Sequence, residues 1–336
     1  MKLNVSTRQA LDWDTEGQHW PLRHLSSFIE TPRLRWHVQM AQHPNPRASS
    51  ILLLHGTGAS THSWRHLLPL LSDNYTVIAI DFPGHGFTSM PQAKDVATLF
   101  SIPGMAAGVA ELMTHLQIKP NMVVGHSAGA AVACMLTLNG HLQPQRLVSL
   151  NGALLPLDGV AGQFFSPLAK LMTKAPFLPE LFAWQAARPS VLQKLLEGTG
   201  SKLDEEGSRL YKTLMSKPSH AQAALYMMAH WDLHTFWERL RTLEDPLSLI
   251  VGSQDWIVPP SVAYRVAETL SHLRTQDIVS RPNLGHLAHE EQAEWVANVI
   301  WPLGMPSSAP ANYFKKPRQL RLTDTFLVSI LVDTFD

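Results

Sequence analysis

Apolar residues recur along this chain in two alternating rhythms. Short unbroken runs at 51–55, 75–81, 122–124, 146–150, 247–251 and 276–279 read as strands covered on both faces. Between and after them, 63–71, 104–116 and 290–300 carry the wider spacing of amphipathic helices. Ahead of these, 25–30 and 34–40 read as an antiparallel hairpin turned at Thr31-Pro32-Arg33, and 42–50 as a proline-containing loop. Strand–helix alternation of this kind predicts an α/β fold with a mostly parallel central sheet flanked by helices. Right-handed crossovers then put the C-terminal end of every parallel strand on one rim, where the loops can meet.

The alternation stops after Gly152 and resumes at 244. The stretch 153–243 shows helical patterns, no convincing strand, and many aromatic and methionine side chains, so it predicts an inserted helical cap over the rim. That divides the sheet domain into 25–152 and 244–303, preceded by a polar, Trp-containing arm, 1–24. Residues 304–336 form a tail with a linker-like start, a basic Lys315-Lys316-Pro317-Arg318 and an apolar run at 326–332. Most apolar cap residues are expected to pack the cap onto the core, while some roof a pocket. Phe165, Trp184, Met227, Met228 and Trp231, with His126 on the rim, are the candidate substrate contacts. An apolar roof rich in methionine suits a large or greasy substrate. Gly159, Gly162 and 198–200 are candidate hinges for it.

Composition narrows the classes. The 336 residues are 45% hydrophobic and 16% charged, with a formal net charge of zero, so no field favours nucleic acid or anionic lipid. Cys134 is the only cysteine, which excludes an intramolecular disulfide and fits a reducing compartment. Residues 1–17 carry Asp12, Asp14 and Glu16 and lack the apolar stretch of a signal peptide. No run approaches the roughly 20 apolar residues of a membrane span. The expected location is the cytoplasm, with peripheral membrane contact left open.

The chemistry gathers around Met122-Val123-Val124-Gly125-His126-Ser127-Ala128-Gly129-Ala130. A buried strand, Gly-x-Ser-x-Gly and a run of small helix formers make a nucleophile elbow, with Ser127 held on a turn too tight for side chains at 125 and 129. The Ala128 amide then opens a helix and faces a developing oxyanion. His55-Gly56-Thr57-Gly58 follows the first long strand, and the Thr57 amide is the candidate second donor, with His55 as a brace. A serine needs a base, and the base needs an orienting acid. His286, in the loop Asn283-Leu284-Gly285-His286 before the last helix, is the candidate base; His289 competes but is expected to face solvent or cap that helix. Asp255, where the 247–251 strand ends, is the candidate acid, ahead of Asp232 and Asp245. His62 and His66 at i, i+4 lack a third ligand, so no metal and no cofactor is expected.

Taken in order, His55-Gly56-Thr57-Gly58, Asp81-Phe82-Pro83-Gly84-His85-Gly86, Gly125-His126-Ser127-Ala128-Gly129, Asp255 and Gly285-His286 resemble the α/β-hydrolase superfamily over about 25–302. Further segments are similar to the magnesium-chelatase accessory proteins of bacteriochlorophyll synthesis. They include Trp20-Pro21-Leu22-Arg23, Gly58-Ala59-Ser60-Thr61-His62-Ser63-Trp64-Arg65, Leu150-Asn151-Gly152-Ala153-Leu154-Leu155-Pro156-Leu157 and Met227-Met228-Ala229-His230-Trp231-Asp232-Leu233. That resemblance implies work in photosynthetic pigment synthesis, a porphyrin or its ester as substrate, and a magnesium-chelatase subunit as partner. It implies no particular reaction. A general carboxylesterase or haloperoxidase-like enzyme, and a binding protein without turnover, remain open at this point.

Overall fold

Leu52, Leu54, Ile78, Ile80 and Val123 point to one side of a sheet, while Ile51, Leu53, Val77, Ala79, Met122 and Val124 point to the other. Alternate residues of one strand can be buried on both sides only when helices cover both faces. The computed structural model describes residues 10–156, 181, 183–185, 188–274 and 277–304. The expectations resting on 157–180, which include Phe165, Gly159 and Gly162, and on the tail from 305 onward lie outside the described residues.

The strands are β1 (Ser26–Glu30), β2 (Arg35–Ala41), β3 (Ser50–Leu54), β4 (Thr76–Ile80), β5 (Met122–His126), β6 (Arg146–Leu150), β7 (Leu247–Gly252) and β8 (Ile278–Arg281). They form one sheet in the order β1-β2-β4-β3-β5-β6-β7-β8. The hairpin β1–β2 pairs Glu30 with Arg35, and β2 lies antiparallel to β4; every other pairing is parallel. Loops after β3, β4, β5, β6 and β7 therefore leave from one rim.

Helices cover both faces of the sheet. One side takes α2 (Val96–Leu99), α3 (Ile102–His115), α4 (Ala128–Leu138) and the helix Ser261–Thr269; the other takes α1 (Leu67–Ser72) and α11 (Ala293–Ile300). Each fully buried Leu or Ile on these faces is worth roughly 1.5–3 kcal/mol. The first helix departs from the expected 63–71. A 3₁₀ turn, Thr61–Trp64, comes first, and α1 starts at Leu67. Starting there leaves Pro69 in the opening turn, where its missing N–H costs nothing; in a helix begun at 63 it would break the interior. Conversely α3 begins two residues early, because the Ser101 hydroxyl accepts from the Gly104 amide and Pro103 tolerates the first turn. The last helix is broken at Gln292 (φ −141°, ψ 57°) into α10 (Ala288–Glu291) and α11.

Between β6 and β7 the described residues contain helices and no strand: α5 (Pro189–Glu197), α6 (Glu205–Met215), α7 (Pro218–Ala229) and α8 (Leu233–Leu240). Asp204 caps α6 through the Gly207 amide, and Asp232 caps α8 through that of Thr235. The N-terminal arm is anchored. Trp20 is buried with Phe87, Leu210 and Leu214, its Nε1 donating to Thr61, and Glu16 pairs with Lys217, the residue just before α7. No single helix among the described residues is long and apolar enough to cross a membrane. Between β7 and β8 lies α9 (Ser261–Thr269).

Candidate active site

Where β5 meets α4, Ser127 adopts φ 51°, ψ −118°, a region that costs a non-glycine residue on the order of 1–3 kcal/mol unless its surroundings impose it. Here they do. The Ser127 amide donates to Leu150 O at 3.0 Å, and its carbonyl accepts from Ala130 at 3.1 Å and Ala153 at 3.0 Å. A Cβ at Gly129 would stand 2.2 Å from Leu54 O, and one at Gly125 would stand 2.4 Å from the Ala130 nitrogen. Only glycine lets the turn close against β3.

The loop after β3 reaches the same point. A Cβ on Gly56 would lie 3.0 Å from Ser127 Cβ, so the loop runs against the serine. Among the described residues the amides of Thr57 and Ala128 have no acceptor. Two unspent donors beside a strained serine are what an oxyanion pocket requires. His55 secures this loop: Nδ1–H donates to Gly56 O at 2.7 Å and Nε2 accepts from the Phe82 amide at 2.9 Å. Complete burial holds its pKa down to about 4, so it stays neutral and both bonds persist. The Thr57 hydroxyl donates to Met227 Sδ at 3.3 Å.

On the other side of the serine, His286 Nδ1 lies 2.8 Å from Asp255 Oδ2. A carboxylate only accepts, so Nδ1–H is the donor and Nε2 is the ring nitrogen not engaged by Asp255. Asp255 is saturated: Oδ1 accepts from the Ile257 and Val258 amides at 2.9 and 2.8 Å, and Oδ2 also accepts from Asn151 Nδ2 at 2.8 Å. Ser127 Oγ makes no hydrogen bond to His286 in this structure. Such contacts are often long in ligand-free enzymes.

The remaining candidates divide. His126 is buried, with Nε2–H donating to His286 O at 2.9 Å and its ring against His286 and His289, which puts it behind the histidine loop. Met227 is fully buried at the Thr57 loop; Met228 and Trp231 are half-buried, Trp231 packing on the main core. Trp184 is 57% exposed under the Arg188 guanidinium. His289 overturns its expectation. It is completely buried, wedged between Trp64 at 4.6 Å and His126 at 4.4 Å, and burial holds its pKa down to about 3. The short α10 turns the ring under the rim, because the break at Gln292 separates it from the exposed face of α11. His62 and His66 do not share a helix face: His62 bonds Ser60 Oγ inside, His66 bonds Asp204 outside. Among the described residues no three His, Cys, Asp or Glu side chains gather for a metal.

Sequence reasoning missed Asn151, whose amide fixes Asp255 and whose φ of 47° makes the turn out of β6. Its signal was available, an Asn-Gly at a strand end on the rim that also carries Ser127. It also missed a buried network with no local signal. Arg65 pairs with Glu290 beneath the histidine loop and with Asp204 at 2.9 Å, and Tyr211 O–H donates to Glu290 at 2.9 Å.

Comparison with known proteins bears on the family and the fold. Residues 51–299 match the model of the Alpha/beta hydrolase family. The chain is 37% identical over 250 residues to the magnesium-chelatase 30 kDa subunit of Rhodobacter capsulatus, covering 74% of this chain and 84% of that one. It is 27% identical over 265 residues to an uncharacterised hydrolase of Bacillus subtilis strain 168, covering 78% and 92%. Among solved structures, a thermophilic esterase from Thermogutta terrifontis superposes with a TM-score of 0.61 at 22% identity, over 82% of this chain and 97% of that one. An alpha/beta hydrolase fold protein from Burkholderia ambifaria gives 0.67 at 18% identity, over 83% and 97%. With its eight-stranded, mostly parallel sheet and a Gly-x-Ser-x-Gly turn on the carboxyl rim, the chain belongs to the alpha/beta hydrolase family.

Proposed function

We propose that this protein is a serine acyl hydrolase acting on an apolar ester or related acyl substrate, with 153–243 serving as a cap over the rim. One observation carries the reading: a strained Ser127 stands beside two unspent amides on the rim that carries a His286–Asp255 pair at 2.8 Å. His286 Nε2 takes the Ser127 proton as Oγ attacks the acyl carbon. The Thr57 and Ala128 amides hold the oxyanion, and Asp255 stabilises the imidazolium. Collapse breaks the acyl–oxygen bond, and the leaving alkoxide takes the proton from His286. Water, deprotonated by the same nitrogen, then attacks the acyl-enzyme and releases the acid and Ser127.

Likeness to a magnesium-chelatase subunit supports work beside magnesium insertion, with a porphyrin ester as substrate and a chelatase subunit as partner. The same likeness, together with the unmade Ser127–His286 bond, favours one second reading, an accessory protein that binds porphyrin or chelatase without turnover. Fluorophosphonate labelling followed by peptide mass spectrometry separates them. Modification at Ser127, lost in His286→Ala, is the expected result. No labelling of the folded protein, with chelatase stimulation intact in Ser127→Ala, would replace the hydrolase by the accessory protein.

A further inference from the structure

Three consecutive amides carry the histidine loop, and two of them are given to the inserted helices. His286 N–H donates to Thr199 O at 3.0 Å, and Leu287 N–H donates to the Ser201 hydroxyl at 2.8 Å. The third, Gly285 N–H, goes to Glu291 Oε1 at 2.9 Å, while Glu291 Oε2 accepts from Lys202 N–H at 3.0 Å. Thr199 and Ser201 belong to the turn between α5 and α6. That turn is locked within itself, since Ser201 N–H donates to Thr199 Oγ1 at 3.2 Å.

It is also wedged. A Cβ at Gly285 would stand 2.3 Å from the Gly200 carbonyl carbon and 2.4 Å from Ser201 N, so the two backbones touch. On its other side Gly200, at φ +75°, lies so close to the carbonyl of Gln254 that a Cβ would reach to 1.9 Å. Gln254 immediately precedes Asp255, and Gly285 immediately precedes His286. One turn therefore presses on the loops of both acid and base. Sequence marked 198–200 as a candidate hinge; a segment gripped on two sides through backbone atoms cannot swing without moving what it grips.

We propose that the Thr199–Ser201 turn is a positioning element for the acid–base pair. It rests on the hydrolase reading, and it sets how His286 meets Asp255, so that the state of the inserted helices is felt at the base. Tyr211 and Asp204, at the far end of the same connection, tie Glu290 and Arg65 to α6 and extend the grip beneath the histidine loop.

Proton NMR of the intact protein tests this without turnover. Imidazole N–H protons donated to buried carboxylates resonate far downfield, and two are expected: His286 to Asp255, and His37 to Asp81 at the opposite edge of the sheet. His286→Ala assigns the first by its loss. Ser201→Ala is expected to shift or broaden that signal, to leave the His37 signal in place, and to slow labelling of Ser127 about ten-fold, within the roughly 10²-fold that small misplacements produce. Ser201→Thr keeps the hydroxyl and should restore both readouts. If Ser201→Ala disturbs the His37 signal as well, the near-isosteric Ser201→Cys replaces it. An unmoved His286 signal with labelling within about two-fold of the parent, in whichever of the two leaves the His37 signal in place, overturns the proposal. A parent protein that shows both signals but never labels at Ser127 defeats the hydrolase reading alone and leaves the positioning result standing.

Discussion

At the antiparallel edge of the sheet, Ser26 Oγ lies 3.0 Å from His37 Nε2, and His37 Nδ1 lies 2.7 Å from Asp81 Oδ2. At the parallel rim, Ser127, His286 and Asp255 offer the same residue types with one link, serine to histidine, unmade. By connectivity alone the edge chain is the better triad. Everything else about it is wrong for catalysis. Ser26 sits in ordinary extended backbone (φ −81°, ψ 139°), already accepting from Gln39 Nε2, and leads into the strand ladder. His37 is sealed among Trp13, Phe28 and Phe87, and Asp81 spends its oxygens on the Thr61 and Phe87 amides as well. Ser127 instead stands on a strained turn at a helix N-terminus, beside two amides that have no acceptor among the described residues. A triad is recognised by the roles its surroundings permit, and hydrogen bonds among three side chains do not supply those roles.

The sharpest test of that contrast is a pair of serine variants. Ser127→Ala is expected to lower hydrolysis of an activated ester by about 10⁴-fold or more, while Ser26→Ala stays within about two-fold. Equal losses would erase the distinction. Next in size, Asp81→Ala should cost about 3–5 kcal/mol of stability in urea unfolding, because it leaves a buried imidazole and two amides unpaired. A variant as stable as the parent would remove the edge chain from the framework.

Acid should reach the rim through its buried histidines. Burial holds His55 at about 4, so the unfolded chain binds a proton that the native chain refuses. That contribution is whole above about pH 6.5 and fades as pH falls toward 4, worth roughly 3 kcal/mol for His55 alone. Urea midpoints should drop steadily from pH 7 to pH 5, with amide exchange opening the rim loops first. A flat profile would mean these rings are charged inside the fold. A smaller effect belongs to Asn151→Gly, which suits the φ of 47° but leaves Asp255 Oδ2 with the His286 bond alone; the rate should fall about ten-fold, with little change in KM. Least of all, Trp184→Ala should change stability by under about 0.5 kcal/mol, since the ring is mostly exposed and its cation–π contact lies at the surface.

Local signals explain why some of this was legible. Unbroken apolar runs announced β3 to β7, and the Gly-x-Ser-x-Gly turn announced Ser127, because tight backbone geometry admits few residues. His286 and Asp255 were legible through their place after strands in chain order. Besides the Arg65–Glu290 network, three features left no local trace. His289 read as a helix start open to solvent, yet the break at Gln292 turns it under the rim. Gly200, within the candidate hinge 198–200, is instead gripped by Gln254 and Gly285, neighbours more than fifty residues away that fill the space around it. The edge chain stayed hidden because Ser26, His37 and Asp81 join only when β2 pairs with β1 and β4.

Hydrophobic period, turn chemistry and strand order thus determined, from the sequence by itself, the sheet and its rim, and nominated the three side chains proposed to act there. Each depends on residues within a few positions of one another or on a rule that every parallel sheet obeys. Tertiary structure alone decided which histidines are buried and neutral, which serine stands beside free amides, and what holds the acid and base in register. Those outcomes depend on the dielectric, the space and the hydrogen-bond partners that distant segments bring to one point, and no local pattern encodes them.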